Sequence, residues 1–242
     1  MHRLFLSPEQ FAQGGAQIAL TPLQGRYLVA VLRLEQGAPL EVFDGRGARF
    51  AARLEGARVS LGEKLPPAAA RAADVVLVQA LAKGEKMDLI IQKATELGVA
   101  RIIPLASDRS IVKLDPERGE GRAERFRRIA QEAARQCGRS EVPQIDAPAS
   151  WQDVFALLAI EPGRRALLLD PEEQSVRLGQ AARGSAQLLL AIGPEGGFSP
   201  EERARAQQAG LAAVGLGKLV LRTETAALAA LAIVQHVHGE LG

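Results

Sequence analysis

Two segments of the chain gather residue types that a binding or catalytic site would need. The first, Gly193-Pro194-Glu195-Gly196-Gly197, follows the apolar run Leu188 to Ile192 and leads into Ser199-Pro200-Glu201-Glu202. Its glycines let a ligand approach the backbone, and its proline fixes part of the loop. A glycine loop after a strand often cradles phosphate, yet no Lys-Ser/Thr pair follows at the P-loop spacing and no G-x-G-x-x-G occurs. Glu195 would repel phosphate, whereas it could attract a cation or accept a proton. A purely structural turn is the alternative. The second segment, Leu216 to Thr225, sets Arg222 and Glu224 with two threonines between an apolar run and a strongly apolar helix. A guanidinium and a carboxylate are costly to bury unless they pair or act. Helix capping by Thr223 or Thr225 would account for the hydroxyls, but not for Arg222.

Both segments must hang on regular elements, and the pattern supplies them. From Val75 onward, apolar strands alternate with amphipathic helices: Val75 to Ala80, then Met87 to Leu97; Ile102 to Leu105, then Arg122 to Cys137. Strands at Leu167 to Leu169, Leu188 to Ile192 and Ala213 to Leu216 follow, with helices at Pro200 to Ala209 and about Glu224 to Glu240. Such alternation predicts an α/β fold with a parallel sheet covered by helices. Ligands bind beyond the carboxyl ends of such strands, which makes the loops after Leu169, Ile192 and Leu216 the places where a ligand is expected. The first 70 residues read differently, as a small β unit with capping boxes at Ser7 and Thr21 and a hairpin turn at Asp44-Gly45-Arg46-Gly47. The unpatterned stretch Pro66 to Ala73 separates residues 1–70 from 74–242 as two domains.

Composition narrows the class. A chain of 242 residues with 47% apolar content can bury a real core. The longest nearly apolar stretch, Ala226 to Val234, is about half a membrane span, so a cytoplasmic protein is expected. One cysteine, Cys137, excludes an internal disulfide, and with three histidines it offers no metal-ligand spacing. Cys137 falls on the apolar face of its helix with Phe126, Ile129, Ala130 and Ala133, which predicts a buried structural thiol. The net charge of +2 says little about a nucleic-acid partner, but only six of the 30 basic residues are lysine. Guanidinium suits bidentate phosphate contacts, and a GC-rich genome is the bland explanation.

The segments "LLLAIGPEGGFSPEE" (Leu188 to Glu202) and "LGKLVLRTETAAL" (Leu216 to Leu228) resemble the two signatures of the RsmE family, the 16S rRNA uracil-N3 methyltransferases of the SPOUT class. The resemblance extends to "KGEKMDLIIQKATELGV" (Lys83 to Val99) and "IAQEAARQCGRSEVPQI" (Ile129 to Ile145), and departs at Lys218-Leu219, where the family usually has Pro-Arg. It implies a SPOUT-type sheet tied in a deep trefoil knot within about residues 167–228, a PUA-like N-terminal β-barrel, and a homodimer. It also implies S-adenosylmethionine as cofactor, held by Leu169, Pro171, Gly193, Pro194, Glu195, Gly196, Gly197, Leu216, Gly217 and Leu221. Arg222 would stabilise the anion developing on uracil, and Glu195 or Glu224 would take the N3 proton. With RNA implied, Arg3, Arg26, Arg33, Arg46, Arg49 and Arg109 become candidate contacts, together with the helical stripe Arg125, Arg128, Arg135 and Arg139. A SPOUT enzyme acting on a ribose 2′-hydroxyl, and a non-catalytic factor for assembly of the 30S subunit, remain as alternatives.

Overall fold

A computed structural model describes residues 1–110 and 116–242, with the side chains of 116–118 excepted. The chain forms two units, residues 1–69 with 131–142, and residues 70–130 with 143–242.

The first unit comprises β1 (His2–Phe5), α1 (Pro8–Gly14), β2 (Gln17–Ala19), α2 (Pro22–Arg26) with a π turn at Tyr27–Val31, then β3 (Pro39–Phe43), β4 (Arg49–Glu55) and β5 (Arg58–Lys64). Ser7 and Thr21 close capping boxes with Gln10 and Gln24, and proline occupies the start of both helices. The five strands lie in the order β1-β3-β4-β5-β2, antiparallel except for β1 beside β3. Leu4, Leu6, Ile18, Leu28, Leu40, Val42, Leu54 and Val59 form its core. β2 carries only one buried residue, Ile18, so periodicity could not reveal it. Residues 131–142 return to this unit, where Gly47 N donates to Ser140 O and Val142 N to Gly45 O. Nothing in the alternation of strands and helices announces that return.

The second unit contains β6 (Asp74–Ala80), α3 (Lys86–Glu96), β7 (Arg101–Leu105), α4 (Pro116–Cys137, whose last turns belong to the first unit), β8 (Gln144–Ile145), α5 (Trp151–Ile160), β9 (Arg165–Leu169), α6 (Leu178–Ala181), β10 (Gln187–Ile192), α7 (Pro200–Gln208), β11 (Ala212–Val214) and α8 (Thr223–Val237). Its six strands are all parallel, in the order β11-β9-β10-β6-β7-β8. Alternate residues serve opposite faces. Val76, Val78, Ile103, Leu168, Leu189 and Ala191 pack with Trp151, Val154, Phe198 and Ala206 on one face. The opposite parity includes Gln79, whose amide reaches Thr223 at the start of α8. α5 went unrecognised because its sequence WQDVFALLAI is too uniformly apolar to show a helical period.

On α4 the buried residues are Ala123, Phe126, Ala130, Ala133 and Ala134. Cys137 is exposed, contrary to the expectation of a buried thiol, because it is the helix's last residue and no further turn covers it. No helix is long and apolar enough to cross a membrane, and no cluster of potential metal ligands occurs among the described residues.

Candidate active site

β9, β10 and β11 end side by side, and the chain leaving them walls an open cleft at the carboxyl edge of the sheet, where ligands of such folds bind. The lining comprises Leu169, Asp170 and Pro171 after β9, Ile192 to Glu195 with Gly197 and Phe198 after β10, and Val214, Leu216, Gly217 and Leu219 to Leu221 after β11. Thr223 and Ala226 of α8 complete it. Nine of the ten residues expected to hold a cofactor therefore share one cleft, Gly196 being the exception. Gly197 N donates to Pro194 O at 2.9 Å in a tight turn that Gly197 permits with φ of +68°. The turn directs Gly196 away from the cleft, where a Cβ would meet Arg109 Cδ at 3.6 Å. Gly196 is thus corrected from cleft wall to outer turn.

A buried polar chain sets the spacing of the walls. Thr223 Oγ1 donates to Gly193 O at 2.7 Å and accepts from Gln79 Nε2 at 3.0 Å. The Thr223 hydroxyl therefore ties α8 to the glycine loop and does not cap the helix, whose N-cap is Arg222 without a side-chain bond. Gln79 lies at 0% exposure near the end of the apolar strand VVLVQA, where a lone polar residue in an apolar run is the signal that could have found it. Thr223→Val keeps the shape but strips the part-buried Gly193 carbonyl of its hydroxyl donor and leaves Gln79 Nε2 with Ala80 O alone, so stability should fall by about 2 kcal/mol. Thr223→Ser should restore most of it; urea denaturation of both variants is the check.

Behind the loop, Glu202 holds the start of α7. It is fully buried and accepts from Ser199 N at 2.8 Å, Trp151 Nε1 at 2.9 Å and Asp108 N at 3.0 Å. Ser199 Oγ in turn donates to Asp108 Oδ2 at 3.0 Å. The residues following β7 are thereby fastened beside the glycine loop, and Arg109 donates to Gly196 O at 2.8 Å.

Among the described residues, the charged groups lining the cleft are carboxylates, Asp170 and Glu195. Lys86 Nζ donates to Glu195 at 2.7 Å and stands 3.8 Å from Glu224 Oε2. The Lys86 hydrogen bond holds the Glu195 carboxyl below the usual carboxylate range. Glu224 does not line the cleft, and its buried Oε2 has no hydrogen-bond partner among the described residues. Arg203 bridges Asp170 at 3.1 Å and Glu172 at 2.7 Å. Arg222 is exposed, so burial is not what distinguishes it, contrary to the sequence argument. Leu221 and Thr223 on either side of it line the cleft. Lys86 and Asp170 were missed. Lys86 follows β6, whose carboxyl end carries no glycine-rich loop to mark it, and Asp170 sits between Leu169 and Pro171 with no local pattern of its own.

The arginines fall into two groups. The Arg3 guanidinium is spent inside the first unit: it pairs with Glu41 at 2.7 Å, donates to Ala134 O and Arg139 O, and lies over the Phe43 ring. Arg135 is held by Glu132 and by the ring and hydroxyl of Tyr27. Internal bonding corrects both from phosphate contacts to structural residues. Arg49 donates to Pro66 O and stands 3.9 Å from Glu41, Arg125 pairs with Asp88, and Arg139 is half-buried. Arg26, Arg33, Arg46, Arg109 and Arg128 are exposed.

With this geometry in view, comparison with known proteins is specific. The family model of an RNA methyltransferase domain matches residues 70–235. Ribosomal RNA small subunit methyltransferase E of Synechocystis sp. is 35% identical over 237 residues, spanning 96% of this chain and 76% of that protein. The protein of the same name from Mycobacterium tuberculosis is 34% identical, spanning 91% and 86% respectively. Among solved structures, ribosomal RNA small subunit methyltransferase E from Neisseria gonorrhoeae bound to S-adenosyl methionine has a TM-score of 0.86 and 31% identity over 98% of each chain. A Legionella pneumophila methyltransferase in complex with the same cofactor has a TM-score of 0.84 and 33% identity, covering 97% of this chain and 96% of that one. A parallel sheet, a glycine loop at its strand ends and these matches along nearly the whole chain agree: the chain belongs to the RNA methyltransferase domain family and, within it, to ribosomal RNA small subunit methyltransferase E.

Proposed function

We propose that this protein transfers a methyl group from S-adenosylmethionine to N3 of a specific uridine in 16S rRNA of the small ribosomal subunit, as a homodimer in the cytoplasm. The observation that carries this reading is the cleft, in which three loops at the ends of parallel strands bring backbone, apolar walls and carboxylates together. The residues fit the cofactor. Leucine, isoleucine, valine and proline suit the adenine ring, and loop backbone can read its edge. Asp170 and Glu195 suit a ligand carrying a sulfonium and an ammonium, and would repel a phosphate.

When bound, the cofactor supplies an electrophilic methyl group. The chain's own residues must handle the uracil N3 proton and the charge left behind it. Glu195 lines the cleft and stays ionised, so it accepts the proton; Glu224 lies back behind Lys86. A carboxylate held below its usual range is a weak base, so this transfer is useful only as the N3–methyl bond forms. Arg222, exposed at the head of α8, carries the developing anion. No cysteine lines the cleft, which suits attack by a ring nitrogen better than the covalent route used at pyrimidine carbon.

The finer architecture belongs to the same proposal. A trefoil knot within about residues 167–228 is supported by the strapping of residues 171–177 against β11's exit: Gly215 N donates to Val176 O, and Leu178 N to Gly215 O. A PUA-like barrel is supported by the small five-stranded, mostly antiparallel sheet of residues 1–70, with Arg26, Arg33 and Arg46 available to phosphate. Leu219 and Val220, 80% and 82% exposed, suit burial against a second copy.

The test is incubation with S-adenosylmethionine and small subunits lacking the modification, followed by mass-spectrometric mapping. A methyl on a uracil base at N3 is expected. A methyl on a ribose would overturn the assignment of the atom, and absence of S-adenosylmethionine binding would overturn catalysis.

A further inference from the structure

The cleft's charges are arranged alike at two places. After β9, Asp170 and Glu172 share Arg203; after β10, Glu195 and Glu224 share Lys86. Each group has two carboxylates for one cation, and each puts one carboxylate, Asp170 or Glu195, on the cleft wall. Arg222 adds positive charge beside Lys86, but from an exposed position where solvent screens it. Asp170 is only 9% exposed, so its field reaches the cleft with little screening.

We propose that this arrangement makes the cleft read its ligand's charge, with Lys86 and Arg203 as the positioning residues that set how much negative charge faces inward. The inference rests on the reading that the cleft binds S-adenosylmethionine. In that reaction the uracil N3 electron pair forms the bond to the methyl carbon, the sulfur–methyl bond breaks with its pair remaining on sulfur, and the N3 proton leaves to a carboxylate. The sulfonium becomes a neutral thioether. A wall with surplus carboxylate therefore grips the reactant and loosens on S-adenosylhomocysteine, so chemistry itself prepares product release.

Titration calorimetry at pH 8 with three ligands tests this: S-adenosylmethionine, S-adenosylhomocysteine and sinefungin, in which a charged amine replaces the sulfonium methyl. Wild-type protein should favour the two charged ligands over the neutral one. Glu195→Gln should narrow that preference about three- to tenfold, and Lys86→Met should widen it by a similar factor, since it leaves two carboxylates uncompensated. Both side chains are about a third exposed, so neither change empties the core. A loop merely disturbed by mutation would alter all three affinities together. A preference that is unmoved in both variants, or that moves the same way in both, overturns the charge reading. Binding of none of the three ligands by the wild type would instead overturn the cofactor assignment on which it rests.

Discussion

Gly215→Ala should destabilise the protein by about 3 kcal/mol and weaken S-adenosylmethionine binding at least tenfold, although an added methyl is the smallest possible change. The cause is a backbone contact. An ideal Cβ at residue 215 would lie 2.0 Å from the carbonyl oxygen of Glu173, far inside any tolerable separation. That oxygen cannot swing aside as a side chain would. It belongs to the strap of residues 171–177, which accepts from Gly215 N through Val176 O and is followed directly by Leu178, whose N donates to Gly215 O. Moving the strap strains those bonds and shifts Asp170 and Pro171, which line the cleft. For a chain of this size 3 kcal/mol corresponds to a loss of roughly 6–12 °C in Tm. Thermal unfolding and calorimetric titration with the cofactor check both effects. Gly196→Ala is the internal control: its Cβ would find only ordinary contact with Arg109, so Tm and cofactor affinity should hardly change. A Gly215→Ala protein with wild-type Tm would show that the strap can yield.

The contrast between these glycines marks where sequence reasoning stops. A loop dense in glycine is visible as such, and the period of the flanking runs placed it at a strand end. Whether a given glycine faces ligand, solvent or another backbone depends on a contact remote in sequence, as between residues 215 and 173. The same limit applies to charge. Glu195 and Glu224 were legible as polar residues in apolar surroundings, but their shared partner Lys86 is 109 positions from Glu195. Arg3 and Arg135 were indistinguishable from surface arginines until Glu41, Phe43, Glu132 and Tyr27 were found around them. The parallel sheet was legible for a physical reason: strands buried on both faces must be apolar throughout, and residues 75–80 and 188–192 are nearly so. Gln79, the exception within the first of these runs, was the informative residue there.

Arg222→Ala should lower kcat for methyl transfer by about 10²–10³-fold, the range typical for loss of one group that stabilises developing negative charge. Cofactor affinity should change by less than about threefold and Tm by no more than an ordinary surface substitution allows. The structure separates these outcomes. Arg222 is exposed, has no ion pair or side-chain hydrogen bond among the described residues, and caps α8 through backbone conformation alone. Nothing in the fold depends on its guanidinium. Its neighbours in sequence, Leu221 and Thr223, nevertheless line the cleft, and it stands close enough to Lys86 to repel that charge. A cation kept without an internal partner at such a place is free to meet a substrate anion. Arg222→Lys should recover part of kcat, since the charge returns without the planar fork that can hold two uracil oxygens or an oxygen and a phosphate. Single-turnover kinetics on unmodified small subunits measure the chemical step apart from release. An unchanged rate in Arg222→Ala would remove it from the reaction, and an equal fall in cofactor affinity would make it a cofactor ligand instead.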